Sequence, residues 1–288
     1  MTEFKTIGKY RILGVSGRGG MADVYLGEPI EGGPKVALKM FSRKNTSSVE
    51  FRRRVKREID TLQECSHPNI VGVKDFSLDP EEMFLVLDYH EGKNLEELVK
   101  DGHPFSPREI CSIIYDVSSA LGHCHGKGIF HRDIKPANIL IERSQGRAIL
   151  LDFGIVKATN MTTITKYAGI MGSLGYLAPE QILGGTVDGR TDLYQLGMVM
   201  VYLATGKNPI QGTDEFAMVD ARSLEDLRAH RAMPRIRESL PGFPESVETI
   251  ILNCIQIDQL LRYPNAEALM EDLTRVSRGD PVRVLGAS

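Results

Sequence analysis

The chain has 288 residues, of which 42% are hydrophobic and 25% are charged, and its formal net charge is −3 at pH 7. These values are typical of a soluble globular protein with one large domain or two lobes, and they exclude a bulk charge that would attract nucleic acid or a membrane surface. The longest apolar run, residues 196–204, is far shorter than the ~20 residues that a membrane span needs, so we expect no span in this chain.

The cysteines indicate a reducing compartment. None of the four cysteines lies in a C-x-x-C pair, and their neighbours are apolar or helix-like, so we expect buried free thiols. The first residues, MTEFKTIGKY, contain no apolar run of the kind found in signal peptides. A cytoplasmic location is therefore expected.

Strands are the main elements predicted up to about residue 88, because β-branched and aromatic residues alternate there between turn signals. The strands are expected at residues 10–17, 23–30, 35–41, 70–76 and 83–89. A glycine cluster separates the first two, and the turn EGGP at residues 31–34 precedes the third.

One long helix interrupts this strand-rich part. Ser47 or Ser48 is expected to cap its N-terminus, and Val49, Ile59 and Leu62 are expected on its apolar side. The sequence HPNI, beginning at His67, ends it.

Beyond about residue 92 the pattern becomes helical. Ser106 followed by Pro107 is a good start for a helix that extends through residues 107–125. Short apolar runs and charged loops follow, and from Pro179 to about Val276 most of the chain has helical periodicity. His123 and His125 do not predict a metal site, because a spacing of two residues points helical side chains apart.

The glycine cluster GRGGMADVYLG fits two kinds of nucleotide site. Gly17, Gly19 and Ala22 match the G-x-G-x-x-G/A pattern of dinucleotide-binding folds, in which the glycines open a helix. Here glycines and prolines follow at residues 27–34, so a helix cannot continue and the chain turns into a strand. The cluster is therefore predicted to be a hairpin loop whose N–H groups can point at phosphates.

Lys39 lies in the third predicted strand, on the same face as Ala37 because strand residues alternate. An ammonium group under a glycine loop can contact phosphates as a point charge. Glu58, in the following helix, is the expected ion-pair partner that holds Lys39 in place.

The most specific motif is HRDIKPANIL, residues 131–140. Asp133 can accept or orient the proton of an attacking hydroxyl. Lys135 can neutralise charge on a phosphoryl group in transfer, and Asn138 offers a neutral oxygen ligand for Mg²⁺. DFG, residues 152–154, follows an apolar strand and places the Asp152 carboxylate where it can hold a metal ion.

Together with VALK, Glu58, HPNIV and APE at residues 178–180, these motifs resemble those of the eukaryotic-like (Hanks-type) serine/threonine protein kinases. Their sequences are similar to those of bacterial members. The resemblance implies an α+β, bilobal fold with a small antiparallel β-rich N-lobe containing one key helix and a larger, mainly helical C-lobe. It implies a kinase domain at residues 1–280, with an N-lobe at 1–88, a hinge at 88–91, a C-lobe at 92–280 and a tail at 281–288.

The resemblance also assigns the site residues. Asp133, Lys135, Lys39 and Glu58 would be the catalytic set, with Asn138 and Asp152 holding the metal ion. The residues expected around ATP are Gly17, Arg18, Gly19, Gly20, Met21, Ala22, Val24, Ala37, Lys39, Asp88, His90, Glu91 and Leu140. The implied cofactors are ATP and Mg²⁺, with Mn²⁺ as an alternative.

Regulation is implied by Arg132, which precedes the catalytic aspartate. Kinases with this arginine are usually switched by phosphorylation after DFG, where Thr162, Thr163 and Thr165 are the candidate sites for autophosphorylation. The expected partners are ATP and protein substrates rather than nucleic acid. A homodimer that phosphorylates itself in trans, and a longer membrane-anchored protein of which this is the cytoplasmic part, are left open.

Supporting contacts are implied as well. Asp192 would hold the backbone of the catalytic loop, and Glu180 would pair with Arg262, although DQLLR departs from the usual Asp-Pro before that arginine. Ser173 stands where the class usually has Thr, and Ala22 replaces a third glycine, which is tolerable if its φ is negative. Leu62, Val73, His131 and Phe153 resemble the apolar stack of the active state.

One other function stays open at this point, and another is disfavoured by the strand that follows the glycine cluster. A kinase-like scaffold could bind nucleotide without turnover, although Lys39, Asp133, Asn138 and Asp152 are all present. A dinucleotide-dependent oxidoreductase would require the glycine cluster to open a helix.

Overall fold

The computed structural model describes residues 5–18, 22–152, 174–207 and 236–285, with the backbone alone for Glu58 and Leu174. By its internal contacts the chain divides into two compact units, Met1–Glu91 and Gly92–Ser288. The predicted hinge, residues 88–91, ends at this division.

The first unit is built on a six-stranded antiparallel sheet. Its strands are β1 (Thr6–Ile7), β2 (Tyr10–Gly17), β3 (Ala22–Pro29), β4 (Val36–Phe41), β5 (Val73–Leu78) and β6 (Met83–Asp88), in the order β1-β2-β3-β4-β6-β5. All five predicted strands are present, and only the two-residue β1 was not expected.

One face of this sheet is buried in a core, and the opposite face carries Ala37 and Lys39. Val36 and Leu38 on β4 point to one face, where they pack with Ile7, Tyr10 and Val86 in a buried core. Ala37 and Lys39 alternate with them and therefore point to the opposite face. Burial of one face fixes the strand register and with it the direction of the Lys39 side chain.

Two helices follow β4, namely α1 (Arg43–Thr46) and α2 (Val49–Glu64). The Ser48 side chain accepts a hydrogen bond from Phe51 N–H, so the predicted Ser48 cap is confirmed. Ile59 is fully buried, but Val49 is 53% exposed, so the prediction for Val49 is wrong. Val49 is the first residue of α2, and the buried apolar residues of this helix are Val55, Ile59 and Leu62.

The second unit is mainly helical. Its helices are α3 (Leu95–Lys100), α4 (Pro107–His125), α5 (Pro179–Leu183), α6 (Gly189–Thr205), α7 (Ile236–Ser239), α8 (Glu245–Cys254) and α9 (Ala266–Arg278). Single 3-10 turns occur at Pro136–Asn138, Leu174–Tyr176 and Gln259–Leu261. A three-stranded antiparallel sheet joins β7 (Gly92–Asn94), β8 (Ile139–Glu142) and β9 (Ala148–Leu150).

Local signals set the ends of these helices. The Ser106 side chain accepts from Glu109 N–H, and Pro107 occupies the first helical position, as predicted. Helix α6 is buried on nearly all sides, so its polar residues Asp192 and Gln195 lie inside the protein.

The four cysteines are free, as predicted; Cys65, Cys124 and Cys254 are buried, while Cys111 is only partly buried. Across the described ranges, no helix has the length and apolar character needed to cross a membrane.

Candidate active site

Two residues of the HRDIKPANIL loop, Lys135 and Asn138, converge on the carboxylate of Asp133. Lys135 Nζ lies 3.2 Å from Asp133 Oδ2. The Asn138 side-chain amide donates to the same oxygen at 3.1 Å and to the Asp133 backbone carbonyl at 2.8 Å. Asp133 and Asn138 are buried, so these contacts fix the orientation of the carboxylate.

Helix α6 anchors this loop from below. Asp192, which is fully buried, accepts the backbone N–H of His131 at 2.9 Å and that of Arg132 at 2.7 Å. The predicted role of Asp192 is therefore confirmed. One turn later, Gln195 accepts the backbone N–H of Ile134 at 2.9 Å and donates to the Arg132 carbonyl at 3.3 Å.

Backbone strain marks the two ends of the site. Among the described residues that are not glycine, only Arg132 and Asp152 have positive φ, at 66° and 21°. Such conformations cost roughly 1–3 kcal/mol each and persist where the surrounding contacts determine them, often at functional sites. Ala22 has no positive φ, which meets the condition for replacing glycine.

The β8–β9 hairpin brings Asn138 close to Asp152. Ile139 on β8 pairs with Leu150 on β9, and Leu151 N–H donates to the Asn138 carbonyl at 2.8 Å. Asp152 follows directly, so the two predicted metal ligands lie at the same end of the hairpin.

The buried His131 ring ties the loop to this hairpin. Its Nε2 lies 3.1 Å from the Leu151 carbonyl, while the Asp133 backbone N–H lies 3.3 Å from Nδ1. Nδ1 accepts and Nε2 donates, an arrangement that requires the neutral ring. Burial accordingly lowers the pKa of His131.

His125 adds a contact that the sequence did not predict. Its Nε2 lies 2.8 Å from Asp192 Oδ2, the oxygen that also accepts from His131 N–H. A Cβ atom on Gly189 would lie 2.7 Å from Nδ1 of His125, so the absence of a side chain there leaves room for the ring.

In the first unit, Lys39 shares a sheet face with Val24 and Ala37, two of the residues predicted around ATP. Val24 pairs with Lys39, and Leu26 pairs with Ala37, and directly opposed residues of antiparallel strands point to the same face. Gly17 pairs in turn with Val24, so the start of the glycine loop lies beside Val24 at the end of β2.

Helix α2 packs on the same face. Phe41, two residues after Lys39, meets Phe51 of α2 edge to face at 5.7 Å, and the Lys39 ammonium lies 6.0 Å from the Phe41 ring centre. The side chain of Glu58 is outside the described residues, so its pairing with Lys39 stays a prediction.

The predicted hinge begins with Asp88, whose N–H donates to the Gly72 carbonyl at 2.9 Å. The Asp88 carboxylate pairs with Lys74 at 2.7 Å. A Cβ on Gly72 would lie 2.3 Å from Asp88 Oδ2, so the absence of a side chain allows this close approach. Gly72 was read from the sequence only as part of a strand.

The remaining predicted residues divide into two groups. Arg18, His90, Glu91 and Leu140 are described, and Leu140 lies on β8. Gly19, Gly20, Met21, Phe153, Thr162, Thr163, Thr165 and Ser173 lie outside the described residues.

Glu180 and Arg262 form the predicted buried pair despite the altered residues before Arg262. The guanidinium binds the carboxylate at two points, with Nη1–Oε1 at 2.8 Å and Nη2–Oε2 at 2.9 Å. Thr191 donates to Glu180 Oε1 at 2.6 Å, and the guanidinium stacks 4.7 Å from the Tyr194 ring centre.

The dinucleotide alternative fails on the structure, because the glycine cluster leads into strand β3 rather than into a helix. The sequence profile described as "Protein kinase domain" matches residues 10–273.

Curated relatives support this match. The chain is 38% identical over 266 residues to "Serine/threonine-protein kinase PrkC" of Bacillus subtilis, covering 92% of this chain and 40% of that protein. It is 34% identical over 279 residues to "Probable serine/threonine-protein kinase PknB" of Corynebacterium glutamicum, covering 94% and 42%. The chain thus spans about two fifths of the length of these relatives.

A solved structure has the same fold. The PknI kinase domain of Mycobacterium tuberculosis superposes with a TM-score of 0.72 at 25% identity, covering 96% of this chain and 99% of that one. The predicted protein-kinase-like fold is confirmed, and the chain belongs to the protein kinase domain family.

Proposed function

We propose that this domain is an ATP- and Mg²⁺-dependent serine/threonine protein kinase, which transfers the γ-phosphoryl group to protein Ser and Thr hydroxyls. The observation that carries the proposal is the arrangement of Asp133, Lys135 and Asn138 on a loop anchored by Asp192. The names of the bacterial relatives favour Ser/Thr acceptors.

The transfer requires no covalent intermediate on the protein. The acceptor oxygen attacks the γ-phosphorus as the bond to the β-phosphate oxygen breaks, ADP leaves, and the hydroxyl proton passes to Asp133. Lys135, held 3.2 Å from Asp133, neutralises negative charge near the transferred group. Most of the rate enhancement would come from this positioning.

Asn138 and Asp152 fit a divalent cation. The Asn138 amide nitrogen donates to Asp133, which directs the side-chain oxygen away from that carboxylate, and the adjacent hairpin end carries the Asp152 carboxylate. Oxygen ligands of this kind suit Mg²⁺ or Mn²⁺. When bound, the ion neutralises phosphate charge.

In the first unit, Lys39 would contact the phosphates and pair with Glu58. Val24 and Ala37 share its sheet face and would cover the adenine, together with Leu140 of the second unit. The Asp88 N–H is already used by Gly72, so the Asp88 carbonyl is the group that would accept from the adenine amino group, with His90 N–H as the second contact.

Autophosphorylation on Thr162, Thr163 or Thr165 is part of the proposal. The Arg132 Nε is buried and has no hydrogen-bond partner in the described part of the chain, so a phosphate group could supply one. One protomer of a homodimer would transfer the phosphoryl group to the other. The domain would act in the cytoplasm.

The test is phosphate transfer from labelled ATP, followed by identification of the modified residues. The wild-type domain should label itself and a protein acceptor on Ser or Thr. Asp133→Asn should lower the rate by about two to four orders of magnitude, since it removes the proton acceptor. Asp101→Asn, a half-exposed surface position, is the matched control and should have no effect. The absence of any labelling by the wild-type domain would contradict the proposal.

A further inference from the structure

A cavity lies in the helical unit, and none of its lining residues is assigned to ATP, metal or acceptor. Its volume is about 860 Å³, it is widely open to solvent, and three helices line it. Helix α4 contributes its first turns, helix α8 its first turn, and helix α9 its last turns. Cavities of roughly 300–1,000 Å³ are the usual size for small-molecule sites, whereas a stable protein interface requires a larger and flatter surface.

The surface of this cavity is mostly apolar, although Ser112, Ser246, Thr274 and Ser277 also contribute hydroxyl groups to it. Val247 of α8 and Leu273 of α9 are buried there, and the partly buried Cys111 of α4 lies with them. An apolar wall beside an open mouth is suited to the hydrocarbon part of a ligand.

The mouth carries one charge. Arg108 is the single charged side chain of the lining, and it forms no salt bridge with any residue in the described ranges. No carboxylate lines the cavity. A guanidinium at the edge of an apolar cavity favours an anionic head group, which it can bind at two points.

The N-terminal ends of α4 and α8 also line the cavity, through Ser106, Pro107 and Pro244. Their first turns carry Glu109, Glu245 and Glu248, which offset the helix dipoles, so Arg108 alone supplies the positive charge of the site. The opposing C-terminal end of α9 is capped, since Gly279 N–H donates to the Val276 carbonyl at 3.1 Å and Asp280 N–H to the Arg275 carbonyl at 2.9 Å.

We propose that this cavity binds a small amphiphile with a carboxylate head and an apolar tail, such as a medium-chain fatty acid. The head group contacts Arg108 at the mouth, and the tail lies along Cys111, Val247 and Leu273. A carboxylate carries one negative charge and matches the single arginine, whereas a phosphate carries more charge than one cation neutralises.

Cys111 provides a direct reporter. The other three cysteines are fully buried and react with an alkylating reagent only when the protein unfolds, so they serve as internal controls. Burial raises the pKa of Cys111 to about 11, so alkylation is slow and is best followed at mildly alkaline pH by mass spectrometry.

Laurate, dodecyl phosphate and dodecanol are the probes, since they share a tail and differ in the head. We expect saturating laurate to slow Cys111 alkylation at least tenfold, without changing the other cysteines. Shortening the fatty acid should weaken protection by about threefold per methylene. Equal or better protection by dodecanol or dodecyl phosphate would overturn the carboxylate assignment, and no protection by laurate would overturn the site.

Arg108→Gln tests the head-group contact. It should weaken laurate binding by about fivefold to tenfold and leave dodecanol unchanged. Arg278→Gln, at the end of α9 but outside the lining, is the matched control and should bind laurate as the wild type does. If Arg108→Gln binds laurate with wild-type affinity, Arg108 has no part in the site. The assay involves no phosphate transfer, so its result is independent of the proposed kinase activity.

Discussion

The carboxylate of Asp192 accepts the backbone N–H of Arg132 at 2.7 Å, and Arg132 has a φ of 66°. A buried side chain on helix α6 thereby holds a strained residue next to Asp133, the proposed catalytic base. The strain persists because Asp192 and Gln195 together satisfy the backbone groups of the loop that this conformation exposes.

Asp192→Asn should therefore lower activity more than its small change in size suggests. In the variant, an NH₂ group replaces one of the two carboxylate oxygens. One of the backbone N–H groups that Asp192 accepts would then face a donor instead of an acceptor, and the loop would relax. We expect a loss of about 1–3 kcal/mol in unfolding free energy and about a hundredfold fall in kcat, since small displacements of catalytic groups are costly. Urea unfolding and phosphate transfer measure the two effects. Asp101→Asn is the control; wild-type kcat in Asp192→Asn would show that the anchor is dispensable.

His131 predicts an acid-sensitive stability. Burial lowers its pKa in the folded state, so the unfolded chain binds the proton more readily. The contribution of neutral His131 is complete above the unfolded pKa of about 6.5 and is lost as pH falls towards the lower folded pKa, by up to about 1.4 kcal/mol per pH unit.

The comparison is between wild type and His131→Phe, by urea unfolding between about pH 5 and pH 8. The variant cannot titrate at this position, so its stability should fall less steeply below about pH 6.5. Parallel pH curves for the two proteins would mean that protonation of His131 is not linked to unfolding.

The buried pair of Glu180 and Arg262 predicts strong coupling. The guanidinium is fully buried, so Arg262→Leu leaves the Glu180 carboxylate without its counter-ion and should cost about 3–5 kcal/mol. Adding Glu180→Gln removes the unpaired charge, and the double variant should be more stable than the sum of the two single effects predicts. Additive changes in unfolding free energy would contradict a direct pairing.

Local chemistry made much of this structure predictable. Ser48 and Ser106 cap their helices because a hydroxyl before a helical run satisfies an exposed N–H, a rule that needs only neighbouring residues. The alternation of strand residues likewise predicts that Ala37 and Lys39 share one face, as they do in β4.

The features that the sequence did not predict depend on residues that are distant in the chain. Periodicity placed Val49 on the apolar side of α2, but it cannot show which apolar residues of a helix are covered by the rest of the fold, and Val49 is 53% exposed. Gln195 is 61 residues from the Ile134 N–H that it accepts, and His125 is 67 residues from Asp192. The available sequence signal was a polar residue in an otherwise apolar helix. Such a residue indicates a buried hydrogen bond, but it does not identify the partner.

Gly72 provides a test of the predicted hinge. A methyl group there would meet Asp88 Oδ2 at 2.3 Å, so Gly72→Ala should push the Asp88 side chain away and disturb the N–H bond that Asp88 makes to the Gly72 carbonyl. If the Asp88 carbonyl binds adenine, the KM for ATP should rise by about tenfold, while kcat at saturating ATP changes little, because the ground state and the transition state lose the same contact. Gly14→Ala, where an added Cβ meets nothing within 4 Å, is the control in the same sheet. An unchanged KM for ATP in a folded Gly72→Ala protein would show that Asp88 does not contribute to adenine binding. A fall in kcat alone would show that the substitution affects the chemical step instead.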